Sequence, residues 1–185
     1  MYCGSNKTAL TSQRQIAQAM MRLIREKPYA DISVCELCRE AGISRQTFYT
    51  LFTSRENVML FTLQNNACCP EETDPAPERS ACGQQGLSGL CRKYSRYLVS
   101  HQDLIRILVE NQIDYLLYDS IFDTLNQSDC LFGSMDPCLR RYASSFYAGG
   151  VSCVARQYAQ EGCSATAELL EQLLMRLFTG SLFAG

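Results

Sequence analysis

Residues 32–56 read ISVCELCREAGISRQTFYTLFTSRE, and this stretch decides the fold. Ser33 stands three residues before Glu36, the spacing of a capping box in which each side chain satisfies a free backbone amide at the start of a helix. Gly42 suits the position just after that helix, because glycine adopts the left-handed conformation without steric cost. Ser44 can cap a second helix directly afterwards. The stretch therefore predicts two short helices on a tight turn, which is a helix-turn-helix.

The second of these helices has two faces of different character. At about 100° per residue, the large apolar side chains share one arc, which consists of Phe48, Leu51 and Phe52. The polar side chains share the neighbouring arc, which consists of Arg45, Gln46, Tyr49 and Thr50, with Thr47 at its edge. Such polar groups reach base edges and phosphates in DNA complexes. For a generic pattern of this kind, however, an ordinary helical hairpin with a solvated polar face is the commoner outcome.

The residue types of this stretch resemble one family specifically. In the DNA-binding domain of TetR-type transcriptional regulators, A-G-[VI]-S-x-x-[TS]-[LF]-Y-x-x-F is followed by a short turn and Lys-Glu. The matching positions here are Ala41, Gly42, Ile43, Ser44, Thr47, Phe48, Tyr49, Phe52, Arg55 and Glu56. With the helix before it, the resemblance covers roughly residues 10–66. Arg55 replaces the usual Lys and keeps a cation, whereas Leu51 replaces a frequent His and makes a DNA contact there doubtful.

The resemblance implies an all-α protein of about nine helices. Residues 1–66 would form a three-helix DNA-binding head, with the helix-turn-helix at about residues 33–52. A fourth helix would join the head to residues 67–185, a helical body for ligand binding and dimerisation.

Hydrophobic periodicity and breakers place the remaining helices. Helix one should open at Thr11 or Ser12 and end before Pro28, and helix four should open at Thr53 or Ser54. A proline-rich linker is expected at residues 69–80. The apolar spacing predicts body helices over residues 87–98, 104–110, 113–125, 139–160 and 165–178. We identify no convincing strand and no internal repeat.

Charge is distributed unevenly along the chain. The formal net charge is −2. Residues 1–66 carry eight Lys and Arg against five acids, whereas residues 67–185 carry nine against fourteen. A basic head on an acidic body is expected when only the head meets phosphate.

The eleven cysteines do not suggest a disulfide framework, because their number is odd and they are scattered through helical patterns. Cys38 should point inward and Cys35 outward on their helix, and no second Cys pair at zinc spacing follows. The single histidine, His101, is expected to end a helix. We therefore expect no metal and no cofactor. No nucleophile–base pair or paired carboxylates suggest an enzyme.

The sequence also predicts where the protein acts. No apolar run approaches the roughly 20 residues of a membrane span. Residues 1–10 lack the apolar centre of a signal peptide, which predicts a cytoplasmic protein without a membrane partner.

For the head, resemblance and residue chemistry imply the same DNA contacts. The expected DNA-binding residues are Ser33, Val34, Ser44, Arg45, Gln46, Thr47, Tyr49, Thr50 and Arg55. Ser33 and Val34 would present backbone amides to a phosphate at a helix N-terminus. Arg45 can fork onto guanine and Gln46 onto adenine. Arg55 would bind a phosphate.

The family resemblance implies a homodimer on double-stranded DNA. Two heads must reach successive major grooves about 34 Å apart, which requires a palindromic operator. The expected dimer interface uses the last two helices, at Tyr147, Gly150, Val151, Val154, Leu170, Leu173, Leu174 and Leu177. The alternative is that these residues fill the subunit core, and we expect that of about half of them. A partner backbone could approach closely at Gly149 and Gly150.

The resemblance further implies a repressor that a small-molecule effector releases from its operator. The ligand pocket would be lined by Phe61, Tyr94, Tyr97, Tyr115, Tyr118 and Phe122, although each of these can equally be core. Two other functions stay open. One is a thiol-based redox sensor of the same fold, acting through Cys68, Cys69 or Cys82, and the other is a module that binds a protein partner.

Overall fold

The computed structural model describes residues 7–67, 84–127, 132 and 135–181. The chain divides into two compact units, Met1–Asn66 and Ala67–Gly185, which we call the head and the body. The described residues form nine α-helices and no strand, so the predicted all-α class is confirmed. No helix within the described residues is long and apolar enough to cross a membrane.

The head contains four helices and a short 3-10 turn. In chain order these are α1 (Lys7–Glu26), the 3-10 turn (Tyr29–Asp31), α2 (Val34–Ala41), α3 (Arg45–Leu51) and α4 (Arg55–Ala67). Its core is formed by fully buried side chains from α1, α2, α3 and their connections: Ile16, Met20, Ile32, Leu37, Phe48 and Phe52.

Helix α1 starts earlier than predicted. It includes Lys7, and the Thr11 hydroxyl donates to the Lys7 carbonyl at 2.9 Å inside the helix. Thr11 was a misleading start signal, because a threonine hydroxyl can bond either a free amide at a helix start or the carbonyl four residues back. The end before Pro28 is as predicted.

The helix-turn-helix is capped as predicted. The Ser33 Oγ accepts the Glu36 amide at 3.1 Å, and the Ser44 Oγ accepts the Thr47 amide at 3.0 Å. Gly42 ends α2 with a φ of 67°, in the left-handed region. At α4, the Ser54 hydroxyl accepts the Asn57 amide at 3.4 Å, so the helix starts after Ser54.

The body has five helices in the described residues. They are α5 (Gln84–Ser100), α6 (Gln102–Glu110), α7 (Tyr115–Gln127), α8 (Pro137–Gln160) and α9 (Ala167–Thr179). Helix α9 packs mainly against α5, whereas α6 and α7 pack against α8. Each of these helices overlaps one of the five predicted segments, although α7 and α9 begin two residues later than predicted. His101 lies between α5 and α6 as expected. The predicted linker at residues 69–80 lies outside the described residues, as do Cys68, Cys69 and Cys82.

The glycine pair in α8 differs from expectation at one position. A Cβ at Gly150 would lie 2.5 Å from the Phe178 ring of α9 in the same chain, whereas a Cβ at Gly149 would meet nothing within 4 Å. The close approach at Gly150 is therefore made by the chain's own last helix, because that ring needs the space which a side chain would fill.

Candidate DNA-binding site

Helix α3 is held by its aromatic side. Phe48 is completely buried, and Leu51 and Phe52 are nearly so. The Phe52 ring contacts the Phe48 ring at 6.1 Å and the Phe61 ring of α4 at 5.5 Å, measured between centroids. Tyr49 lies on the other side with 52% of its surface exposed. A helix of seven residues is unstable alone, so this packing fixes the direction of its polar face.

The polar face of α3 presents different chemical groups to solvent. Arg45, Gln46, Tyr49 and Thr50 are exposed, and Thr47 is half-buried. The Thr50 hydroxyl donates to the Gln46 carbonyl at 2.9 Å, so Thr50 offers its methyl group more readily than a donor. The hydroxyls of Ser44 and Thr47 lie 2.9 Å apart and take part in the cap. The groups most available for new hydrogen bonds are thus those of Arg45, Gln46 and Tyr49.

The N-terminus of α2 is the second part of the predicted site. Ser33 is exposed and Val34 is half-buried, and the amide ends of a helix attract anions. Glu36 in this first turn would repel a phosphate, but Lys27 forms an ion pair with its carboxylate, and Arg39 lies 4.0 Å away. The hydrogen bond from Lys27 is the main cause that lowers the pKa of Glu36. The local charge is therefore largely neutralised.

Arg55 is placed differently from the other predicted contacts. Its Nη1 donates to the carbonyls of Tyr29, at 3.0 Å, and Ile32, and its Cζ lies 4.9 Å from the centre of the Tyr29 ring. The guanidinium is thus already engaged by the chain itself. A phosphate contact from Arg55 remains a prediction.

The sequence reasoning missed one border of the site. The first turns of α1 line a cleft of about 350 Å³ together with α3, through Thr8, Ala9, Ser12, Gln46, Thr47, Thr50 and Leu51. This border was missed because the predicted start of α1, at Thr11 or Ser12, comes after Thr8 and Ala9. The hydroxyls of Thr8 and Ser12 therefore belong to the polar surface around α3.

This geometry agrees with comparisons to known proteins. Residues 16–60 match the family model described as bacterial regulatory proteins, tetR family. The head therefore carries a TetR-type DNA-binding domain. The matched segment contains α2 and α3 complete, so the TetR-type likeness rests on the helix-turn-helix itself.

Individual relatives align with a short part of the chain. The chain is 54% identical over 41 residues to the HTH-type transcriptional regulator EthR of Mycobacterium tuberculosis, covering 22% of this chain and 19% of EthR. It is 33% identical over 60 residues to the HTH-type dhaKLM operon transcriptional activator DhaS of Lactococcus lactis, covering 32% of each protein. The aligned part of the chain thus spans about a fifth of EthR and about a third of DhaS.

Solved structures extend the likeness of fold beyond the TetR-type head. Lin0861 from Listeria innocua aligns with a TM-score of 0.72 at 12% identity, over 100% of this chain and 97% of that chain. The dihydroxyacetone kinase operon activator DhaS aligns with a TM-score of 0.54 at 18% identity, over 93% and 96%. At these identities the likeness shows the fold alone.

The predicted ligand-pocket residues of the body do not share one environment. Tyr94 and Tyr97 are buried, and burial raises the pKa of Tyr94. Tyr118 stacks on Phe122 with centroids 6.0 Å apart, and its hydroxyl lies 2.8 Å from the Ser145 Oγ. Tyr115 is half exposed. The structure thus brings Tyr118 and Phe122 together.

The remaining pocket candidate lies in the TetR-type head. Phe61 is 8% exposed and lines an open cavity of about 480 Å³ between α1 and α4. Three arginines also line this cavity: Arg14, Arg22 and Arg25. Its lining comes from head residues, so it differs from the aromatic body pocket that the sequence suggested.

The predicted dimer residues divide by burial. Four are buried inside the body and cannot form a free surface as it stands: Val151, Val154, Leu170 and Leu174. These four follow the alternative that part of the set fills the subunit core, because α9 packs on α5 and α8 packs on α6 and α7 within the chain. Tyr147 and Gly150 are half-buried, with the Tyr147 ring 4.7 Å from the Phe178 ring. Leu173 and Leu177 are exposed.

Proposed function

We propose that this TetR-type protein is a sequence-specific DNA-binding transcriptional regulator that acts as a homodimer on a palindromic operator. The observation that carries the proposal is the orientation of α3. Phe48 is buried completely while Arg45, Gln46 and Tyr49 protrude together from the opposite side. A helix seated in this way can enter the major groove with its polar face against the bases.

The proposal assigns each exposed group a role by its chemistry. Arg45 and Gln46 read bases, since a guanidinium forks onto guanine and an amide onto adenine. Tyr49 and Thr47 bind phosphates, and the Thr50 methyl contacts a thymine methyl. The amides at Ser33 and Val34 hold a phosphate at the start of α2.

The homodimer is supported by two apolar stripes on the last two helices. On α8 and α9, large exposed apolar side chains recur at helical spacing: Leu139, Tyr142 and Phe146, then Leu169, Leu173 and Leu177. Rows of large exposed apolar side chains of this kind favour a protein–protein contact. The occupant we propose is a second copy, because a palindromic operator requires two heads.

The regulation we propose is release of DNA by a small-molecule effector that binds the body. Such a ligand can shift the protein only by its difference in affinity for the DNA-binding and released states. The sign of the regulation has two candidates. Repression is the first, and activation is the second, because the relative DhaS is named as an operon activator.

The test of sequence-specific binding is selection of bound fragments from random duplex DNA with the full chain. We expect enrichment of one palindrome whose half-sites lie one helical turn, about 10 base pairs, apart or a multiple of that. Enrichment of a single half-site would disprove the dimeric mode. No enrichment over unselected DNA would disprove the function.

The sign of the regulation is decided by a reporter gene placed behind the selected palindrome. Co-expression of the protein should lower reporter output if it represses and raise it if it activates. The variant Arg45→Ala serves as the control, because it keeps the fold and should lose the effect.

A further inference from the structure

Arg55 stands where a cation is unfavourable for its own helix. It is the first residue of α4, where the helix dipole is positive and acidic residues are preferred. Its side chain compensates by leaving α4 and crossing to the turn between α1 and α2. The contacts with this turn therefore explain why a cation is tolerated at the start of α4.

The turn presents carbonyl oxygens to the guanidinium. The Arg55 Nη1 donates to Tyr29 at 3.0 Å and to Ile32, and the Ala30 carbonyl lies 3.4 Å away. The Tyr29 carbonyl already accepts the Ile32 amide at 3.2 Å, and a carbonyl oxygen has two lone pairs, so the guanidinium adds a second, charge-assisted hydrogen bond to it. The guanidinium also lies over the Tyr29 ring, 4.9 Å from its centre, and that ring is 5% exposed.

Glu56, the next residue, places an acid in the same first turn of α4, where the helix dipole favours a negative charge. Burial by itself raises the pKa of Glu56, but hydrogen bonds, first from Ser54 and its own amide, outweigh this and lower it.

The turn that Arg55 contacts, residues 29–32, leads directly into the predicted phosphate site. Ile32 is fully buried, and Ser33 and Val34 follow it at the N-terminus of α2. We propose that Arg55 is a positioning residue that fixes the turn at residues 29–32, and with it the N-terminus of α2, and that it does not itself neutralise a DNA phosphate. This inference rests on the proposed DNA-binding function and replaces the phosphate contact expected from the sequence.

The first test needs no DNA. Hydrogen exchange of the amides in residues 29–37 is compared among the full-length protein, Arg55→Gln and Arg55→Lys, with Arg14→Gln as a charge-matched control from the exposed face of α1. Both Arg55 variants should exchange roughly 10-fold faster there, because neither glutamine nor lysine can lay a flat cation over the Tyr29 ring while it donates to the carbonyls of the turn. Arg14→Gln should exchange like the parent. Unchanged exchange in Arg55→Gln would overturn the proposal.

The second test distinguishes positioning from phosphate binding. Affinity for the selected operator is measured against salt at 10 °C, after circular dichroism has shown that each variant is folded. Both Arg55 variants should bind about 10-fold more weakly with an unchanged slope of log K against log salt. A slope smaller by about 1.8, which is about 0.9 for each of the two heads, with affinity restored in Arg55→Lys, would show a lost phosphate contact and overturn the proposal. If the parent binds no DNA, the proposed function fails while the exchange test still decides the role of Arg55.

Discussion

Arg45 and Tyr49 are both exposed on α3, but their chemistry predicts different effects on DNA binding. Arg45→Ala should remove discrimination at one base pair, worth about 1–3 kcal/mol, because a forked guanine contact recognises one base. The measurement compares Kd for the selected operator with Kd for duplexes changed at single positions. Equal losses on the operator and on a scrambled duplex would refute base reading by Arg45.

Tyr49→Phe should weaken binding to every duplex alike, by roughly 1 kcal/mol, because a phenol on a phosphate carries no sequence information. The thermal midpoint should stay the same, since Tyr49 is 52% exposed and its hydroxyl is not needed for packing. A change confined to one base position would instead assign Tyr49 to base reading.

Thiol reactivity should follow burial and pKa. Burial, with a smaller contribution from the nearby Glu171 carboxylate, raises the pKa of Cys91 to about 11, so its thiol stays protonated at neutral pH. Cys138 and Cys153 are exposed. In a time course with iodoacetamide followed by peptide mass spectrometry, Cys138 and Cys153 should be alkylated well before Cys91. Equal rates would show that the body opens readily.

At the scale of elements, the turn between α2 and α3 depends on Gly42. Its φ of 67° strains any residue with a Cβ, even though nothing lies within 4 Å, so Gly42→Ala should cost about 1–2 kcal/mol of unfolding free energy.

Gly89, exposed inside α5, has open space and no positive φ. Gly89→Ala should therefore stabilise the protein by roughly 0.5–1 kcal/mol. Denaturant titration measures the free energy of unfolding of the Gly42→Ala and Gly89→Ala variants. Gly89→Ala destabilising the protein while Gly42→Ala does not would contradict this account.

The elements that were predictable from sequence are those whose signals are local. Ser33, Gly42 and Ser44 act within one or two turns of their own helices, so the helix-turn-helix was placed correctly. Thr11 failed as a start signal because its hydroxyl has two equally good local partners. The exposure of Tyr49 and burial of Phe48 followed from helical spacing.

At the scale of the whole molecule, self-association should depend on the exposed stripes of α8 and α9. Phe146→Glu combined with Leu173→Glu places charges in both stripes and should convert the dimer to monomer, because an unpaired charge in an apolar interface is costly. Light scattering after size-exclusion chromatography measures the mass. Tyr115→Glu, which changes a half-exposed aromatic residue on α7, should leave it unchanged. A dimer that survives the double variant would place the interface elsewhere.

The sequence by itself determined the TetR-type helix-turn-helix, the all-α class and the two faces of α3, because helix caps and 3.6-residue spacing are local properties. The tertiary structure decided which apolar residues are core and which are free, since Leu170 and Leu173 differ only in what packs above them. It also decided the partner of Arg55, because a long side chain can reach either a phosphate or a distant turn. Only the folded positions of Tyr29 and Ile32 show which one lies within hydrogen-bonding distance.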